Sequence, residues 1–255
     1  MSQRLAGRVA LISGGATGCG AAAARIFAAE GARVGIVDRN VEAGAALAEE
    51  LQALGHRTVF AEADVSRAAE VERAGAAVAE ALGPVTALFN HAGTLIVKPF
   101  LDTTEAEWDW LMAVNVKSMF LMTRAVLPGM IAAGGGSIVC TSSISATLAT
   151  PGEVLYDTTK GACHMFARAI AVEFRDRGIR CNAVCPGFIR TPHGLREVRD
   201  LAAMGVDVSD AALAAAQGRM CEPEEVARAA LFLLSDEASF VNGTQLYVDN
   251  GFSAV

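Results

Sequence analysis

The chain has no surplus of positive charge. Its 255 residues carry 21 Lys and Arg against 28 Asp and Glu, a formal net charge of −7. No basic run is present, which argues against nucleic acid or an anionic membrane surface as the main partner. A secretory leader is also missing from MSQRLAGRVALISGG: the apolar run Val9 to Ile12 is short, and a glycine loop follows at once. No stretch reads as the ~20 apolar residues that cross a bilayer, so a cytoplasmic protein is expected. The six cysteines, at positions 19, 140, 163, 181, 185 and 221, include no CxxC. No metal site is expected from them; buried, reduced thiols are. There is no linker, low-complexity tract or internal repeat.

What is present is apolar and alternating. Hydrophobic residues make up 53% and charged residues 19%, enough for a large core. Short apolar runs at 8–13, 32–38, 57–64, 85–90, 136–143, 178–186 and 245–251 are separated by Ala-rich helical segments. A long helical region covers about 104–133, and the segment after 186 has a looser pattern. The strands are continuously hydrophobic rather than alternating, which predicts a parallel sheet covered on both faces. The β-α alternation predicts one doubly wound, Rossmann-type α/β domain with a seven-stranded parallel sheet.

The first strand runs into SGGATGCG, residues 13–20, and then a helix. Gly14, Gly18 and Gly20 allow a tight turn in which backbone N–H groups approach a phosphate at a helix start. A glycine loop alone would also suit a flavin or S-adenosylmethionine. Asp38 ends the next strand about 20 residues on, where an acid holds a ribose 2′-hydroxyl and repels a 2′-phosphate. That position favours NAD over NADP; a helix N-cap role for Asp38 is the alternative. Further polar residues or breaks close later strands: Asp64, Asn90, Ser143 and Pro186. In open α/β sheets the ligand crevice lies outside the carboxyl ends of the strands. Tyr156 and Lys160 sit one turn apart on the helix after the fifth strand. Tyr ionises near pH 10, and an adjacent ammonium in a low-dielectric crevice would lower that value.

These motifs together resemble the short-chain dehydrogenase/reductases, in their small single-domain branch, over essentially the whole chain. SGGATGCG matches TGxxxGxG with Ser13 for Thr, NHAG (90–93) matches NNAG, and YDTTK (156–160) is the family's YxxxK. Asn115 in AVNVKSMF falls at the family's helical Asn, and Ser143 precedes Tyr156 by 13 residues. NAVCPGFIRTP (182–192) matches the nicotinamide segment and GTQLYVDNG (243–251) the closing strand. The resemblance implies Tyr156 as general acid/base, Ser143 as the partner of the substrate oxygen, Lys160 as the group lowering the Tyr pKa, and Asn115 as holder of a water. It implies cofactor contacts from Gly14, Thr17, Gly18, Cys19, Gly20, Asp38, Asp64, Val65, Asn90, Ala92, Gly93, Tyr156, Lys160, Pro186, Gly187, Ile189 and Thr191. Two departures are Cys19 and His91. Cys19 opens a helix, which favours a thiolate, so its modification is expected to block cofactor binding; His91 reads as a loop residue.

The implied activity is NAD-dependent interconversion of a secondary alcohol and a ketone. Residues 192–218 are expected to form a substrate lid carrying His193, Arg196 and Arg199, able to meet a substrate anion or else solvated. Ser143, Ser145, Glu153, Tyr156 and His193 are candidate substrate contacts, with Thr94 and Val154 lining the same pocket. The mixture suits a small sugar, polyol or hydroxy acid; a 3-oxoacyl or hydrophobic ketone reductase is the alternative. A catalytically silent dinucleotide sensor and an epimerase or dehydratase belong to other classes. The intact Ser143, Tyr156, Lys160 and Asn115 oppose the sensor, and the chain length opposes the epimerase. A homo-oligomer, with a tetramer favoured, is implied through helices 104–133 and 156 onward.

Overall fold

Alternating side chains along each strand meet two separate apolar layers, and this accounts for the sheet's position in the middle of the molecule. The computed structural model describes residues 3–254. Its strands are β1 (Val9–Ser13), β2 (Arg33–Asp38), β3 (Thr58–Glu62), β4 (Ala87–Asn90), β5 (Gly136–Thr141), β6 (Ile179–Pro186) and β7 (Gln245–Val248). All pair in parallel, in the order β3-β2-β1-β4-β5-β6-β7. Ala10, Ile12, Val34, Ile36, Phe89, Val139 and Val184 enter one core. Val9, Leu11, Val37, Leu88, Ile138 and Cys140 enter the other. Both faces are dry, so the strands show no polar alternation in sequence.

Helices α1 (Gly18–Ala29), α2 (Val41–Ala53), α3 (Ala68–Leu82), α4 (Glu105–Met112), α5 (Ser118–Ala132) and α6 (Val154–Phe174) connect the strands. Three more, α7 (Pro192–Ala203), α8 (Asp210–Gln217) and α9 (Pro223–Leu234), lie between β6 and β7. Helices α1 and α9 pack together over one face, and α3 packs on α5 over the other. The strand order reverses between β1 and β4, which opens the crevice at their carboxyl ends. The segment after β6, expected to be irregular, is helical. Thr191 accepts from the Gly194 N–H to start α7 with Pro192 in its first turn, and Ser209 accepts from the Ala212 N–H to start α8. Such N-caps compensate for a weak apolar period.

The long helix expected over 104–133 is real but interrupted. Thr104 and Glu107 form a capping box at its start. A π turn over Ala113–Lys117 then inserts an extra residue into the ladder. By length and composition alone, Glu105–Ala132 is apolar enough to cross a membrane, with a hydropathy of 1.2. A buried core helix has the same length and composition, and here the stretch is two helices joined by the π turn. Of its 18 most apolar consecutive residues 44% are buried in the fold, with α5 against α3 and α4 against α6.

Candidate active site

The glycine loop forms because only glycine tolerates its backbone and its neighbours. Gly14 has φ +67°, and a Cβ there would sit 2.8 Å from the Ala92 Cα. The Gly14 and Gly15 N–H groups donate to the Val37 carbonyl, tying the loop to β2. Ser13, which stands where the family pattern has Thr, accepts from the His91 and Ala92 N–H groups at 3.1 and 3.2 Å. The 13–20 loop and the 90–93 loop are therefore bonded side by side. Asp38 accepts from the Ala16 N–H at 3.0 Å and the Asn40 N–H at 2.9 Å. The N-cap of α2 is Asn40, so the capping alternative for Asp38 is not what the structure has.

A cavity of about 690 Å³ runs along the carboxyl edge of the sheet, within the usual range for a small-molecule site. Gly14, Thr17, Gly18, Cys19, Asp38, Asp64, Val65, Ala92, Gly93, Pro186, Gly187, Ile189 and Thr191 line it, as expected, together with Ser143, Ser145, Tyr156, Lys160, His193 and Thr94. Several expected residues lie elsewhere. Gly20 is absent from the lining because it packs against the Gly14 and Gly15 backbone. Asn90 is buried behind β4, donating to Thr123 Oγ1 at 3.0 Å and toward Cys140 Sγ. Glu153 is 1% exposed and is absent from the cavity lining, with Oε1 lacking a hydrogen-bond partner. Val154 is exposed on the outer side of α6. Sequence reasoning missed Arg39, Trp110 and Glu197, which do line the cavity. Arg39 adjoins Asp38; the other two come from helices whose facing no local spacing reveals.

Tyr156 lies in the first turn of α6 and Lys160 one turn later, with its ammonium 5.3 Å from the Tyr ring centroid. Lys160 Nζ donates to the Thr141 carbonyl at 3.0 Å. Ser143 hydrogen-bonds Tyr156 and accepts from the Ser145 N–H at 3.1 Å. Asn115 occupies the π turn and does not reach the cavity. Its side chain clamps Thr94, accepting from the Thr94 N–H and donating to the Thr94 carbonyl, both at 2.8 Å. It also donates to Thr159 Oγ1 at 2.9 Å, and Thr159 donates to the Tyr156 carbonyl at 2.7 Å. The Asn115 carbonyl receives the Cys163 thiol at 3.8 Å. A π turn at such a place often marks a functional site.

Burial, not Lys160, dominates the Tyr156 phenol. It is pushed well above its ordinary value of 10, first by burial and then by the Glu197 and Glu153 carboxyls; Ser143 opposes them. The expectation that Lys160 sets a lowered value is not met in this protein without ligand. For Cys19, burial, then Cys221 and Glu224, push the thiol up to about 12, which disfavours the thiolate expected at this helix start. Burial also lowers His91 to about 3 and His193 to about 4, with Lys160 next in each case. Both imidazoles are neutral at pH 7.

Glu153 is pushed up to about 9, by burial and then by Glu197 and Asp157; burial moves Asp157 to about 6. A carboxyl with a raised folded value binds its proton more tightly folded than unfolded, so its contribution is full below the unfolded value and is lost as pH rises. Above pH ~7 the histidines are neutral in both states. The melting temperature of the ligand-free protein is therefore expected to fall from pH 7 to pH 9, and Glu153→Gln is expected to flatten that fall. A slope unchanged by the substitution would contradict the burial of this carboxyl.

A family profile described as enoyl-(acyl carrier protein) reductase matches residues 14–253. The chain is 38% identical over 253 residues to a 2,5-dichloro-2,5-cyclohexadiene-1,4-diol dehydrogenase of Sphingobium indicum, covering 99% of each. It is 41% identical over 254 residues to a galactitol 2-dehydrogenase (L-tagatose-forming) of Cereibacter sphaeroides, covering 98% of this chain and 96% of the other. The solved structure of a gluconate 5-dehydrogenase from Burkholderia cenocepacia, in complex with NADP and tartrate, superposes with a TM-score of 0.91 at 34% identity, covering 100% of this chain and 98% of that one.

Proposed function

Because the chain belongs to the short-chain dehydrogenase/reductase family, we propose that it interconverts a small polar secondary alcohol and a ketone with NAD as cofactor. The coarse part of this reading, an oxidoreductase acting on alcohols with a nicotinamide dinucleotide, rests on the relatives. The observation that carries the rest is the meeting of Ser143, Tyr156 and Lys160 on one cavity wall, reached from the glycine loop.

The residues present fit the cofactor. Gly14, Thr17 and Gly18 line the cavity where α1 begins, so the backbone and the helix start face the space a dinucleotide phosphate would occupy. Asp38 stands where a ribose hydroxyl would donate, with Asp64 and Val65 beside the adenine end and Pro186, Gly187, Ile189 and Thr191 beside the nicotinamide end. When bound, the nicotinamide supplies the hydride acceptor or donor. Tyr156 gives its phenolic proton to the substrate oxygen in reduction and removes it in oxidation. Ser143 donates a hydrogen bond to the same oxygen, placed by its contact with Ser145. Lys160 Nζ stands 5.3 Å from the centroid of the phenol ring, and Asn115 is a positioning residue that fixes the segment after β4 at Thr94. In this reading one domain carries both cofactor and substrate sites, with α7 and α8 as the cover.

Arg39 favours a second reading for the cofactor, since a guanidinium next to Asp38 could meet a 2′-phosphate. Initial rates of reduced-nicotinamide formation with NAD and NADP, over a panel of polyols, hydroxy acids and simple secondary alcohols, decide between them. NAD is expected to lead by tenfold or more in kcat/KM, about 1.4 kcal/mol, and Asp38→Ser to shrink that lead. A lead for NADP would make Arg39 the determinant; no turnover with bound NAD would favour the silent sensor.

Self-association is also proposed. Trp108, Phe120, Met165 and Val172 are exposed on α4, α5 and α6, Met165 at 61% and Val172 at 65%. Apolar groups this large on adjoining helices favour burial against a second copy. Sedimentation is expected to show a homo-oligomer, a tetramer above all; a monomer at assay concentration would contradict it.

A further inference from the structure

We propose that Arg196 and Thr94 form an anion subsite in the catalytic cavity, so that the substrate is a hydroxy acid held by its carboxylate. This rests on the reading of the site as an alcohol dehydrogenase and names its substrate class.

Arg196 enters the cavity from the lid helix α7, and its Nη2 donates to Thr94 Oγ1 at 3.2 Å. No ion pair among the described residues includes Arg196. One of its five N–H donors is spent on Thr94, and a guanidinium remains charged at any working pH. The other cation on this wall, Lys160, already donates to the Thr141 carbonyl. His193 is neutral, since burial, Lys160 and Arg196 lower it to about 4. Arg196 is thus the free fork of the substrate end, shaped for a carboxylate.

The subsite is fixed relative to the reacting group. Tyr156 is tied through its carbonyl to Thr159, Thr159 to Asn115, Asn115 to the Thr94 backbone, and the Thr94 hydroxyl to Arg196. Four successive hydrogen-bonded links join the proton donor to the anion subsite. None of the acids described nearby forms an ion pair with Arg196. Glu153 is buried off the cavity lining and protonated at neutrality, and Asp157 accepts from the Thr150 N–H. Glu197 lines the cavity and is pushed up to about 7 by burial, with Lys160 and Arg196 opposing. Part neutral at pH 7, it serves a second substrate hydroxyl better than it serves a cation. Leu148, Leu201 and Val206 supply the apolar wall for the carbon chain.

The test compares hydroxy acids, from lactate to gluconate, each with its own carboxamide, on the NAD-loaded enzyme. The best acid is expected to exceed its amide in kcat/KM by about 30-fold or more. Arg196→Gln is expected to bring that ratio to within about threefold of one, with Arg196→Lys in between because it keeps the charge and loses the fork. If Arg196 only latches the lid onto Thr94, Arg196→Gln lowers acid and amide in parallel and the ratio survives, which overturns the proposal. A neutral polyol or an amino alcohol as the preferred substrate overturns it as well. Calorimetric titration of the same acids into NAD-loaded Tyr156→Phe protein gives a readout free of turnover. Acid binding that depends on Arg196 there upholds the subsite even if no alcohol is oxidised, and that result would then count against the dehydrogenase reading alone. Equal binding of acid and amide counts against the subsite.

Discussion

Tyr156→Phe is expected to lower kcat by about 10³-fold or more, at the upper end of what a positioned general acid/base contributes. Cofactor affinity is expected to stay within about threefold, because the substitution removes one hydroxyl and leaves the ring packed in its place. The ring contacts Leu95, Leu111 and Leu155 in a small cluster of their own, so folding is retained and the melting temperature is the control. The pH profile carries the mechanism further. Burial first, with the Glu197 and Glu153 carboxyls adding to it as they ionise, keeps the phenol protonated well into the alkaline range. Ketone reduction, which needs the proton in place, is expected to be flat through pH 7 and to fall at alkaline pH. Alcohol oxidation, which needs it removed, is expected to rise over the same range. Glu197→Gln removes a negative neighbour and is expected to shift the oxidation limb to lower pH. A Phe variant with most of its activity would remove Tyr156 from the chemistry.

Gly20→Ala is the second large effect. A methyl there would stand 2.0 Å from the Gly14 carbonyl oxygen and 2.9 Å from the Gly15 Cα. Both obstacles are backbone, so no side chain can rotate away, and the loop must separate from α1. The cost is expected to reach at least the ~1–3 kcal/mol of an overpacked core. Displacement of the loop is also expected to weaken NAD binding by about 100-fold, near 2.7 kcal/mol, while the unliganded fold survives. Ala at Gly75, where the nearest atom to an added Cβ is the Ala125 Cβ at 3.7 Å, is the matched control and is expected to change little. Equal affinities for the two variants would show that the loop does not carry the dinucleotide.

Much of this site was legible because its signals are local. The Tyr156–Lys160 pair is one helical turn, the glycine loop is a strand-to-helix joint, and Asp38 ends the neighbouring strand. That the sheet is parallel and covered on both faces followed from strands of continuous hydrophobicity, whereas the order of its strands came from the structure alone. What could not be read depends on which way a side chain points after packing. Glu153 is the N-cap of α6, three residues before Tyr156, and spacing alone could not show that it is buried off the cavity lining. Asn90 ends β4, but its amide turns back to Thr123. Glu197 and Trp110 come from helices remote in sequence, and Glu197 takes part in the electrostatics of Tyr156 from the lid. Cys19 shows the same limit from the other side: a helix start favours a thiolate, yet the packing of α1 against α9 buries the sulfur and reverses the sign.

The central claim is hydride transfer from a carbinol carbon under the control of Tyr156. The most direct measurement is the mass of the nicotinamide cofactor recovered after turnover of an alcohol deuterated at that carbon. One deuterium in the reduced cofactor, absent when Tyr156→Phe protein is used, is the expected result. Ketone formed with no deuterium in the cofactor, or labelled cofactor formed equally well by the Phe variant, would contradict the account.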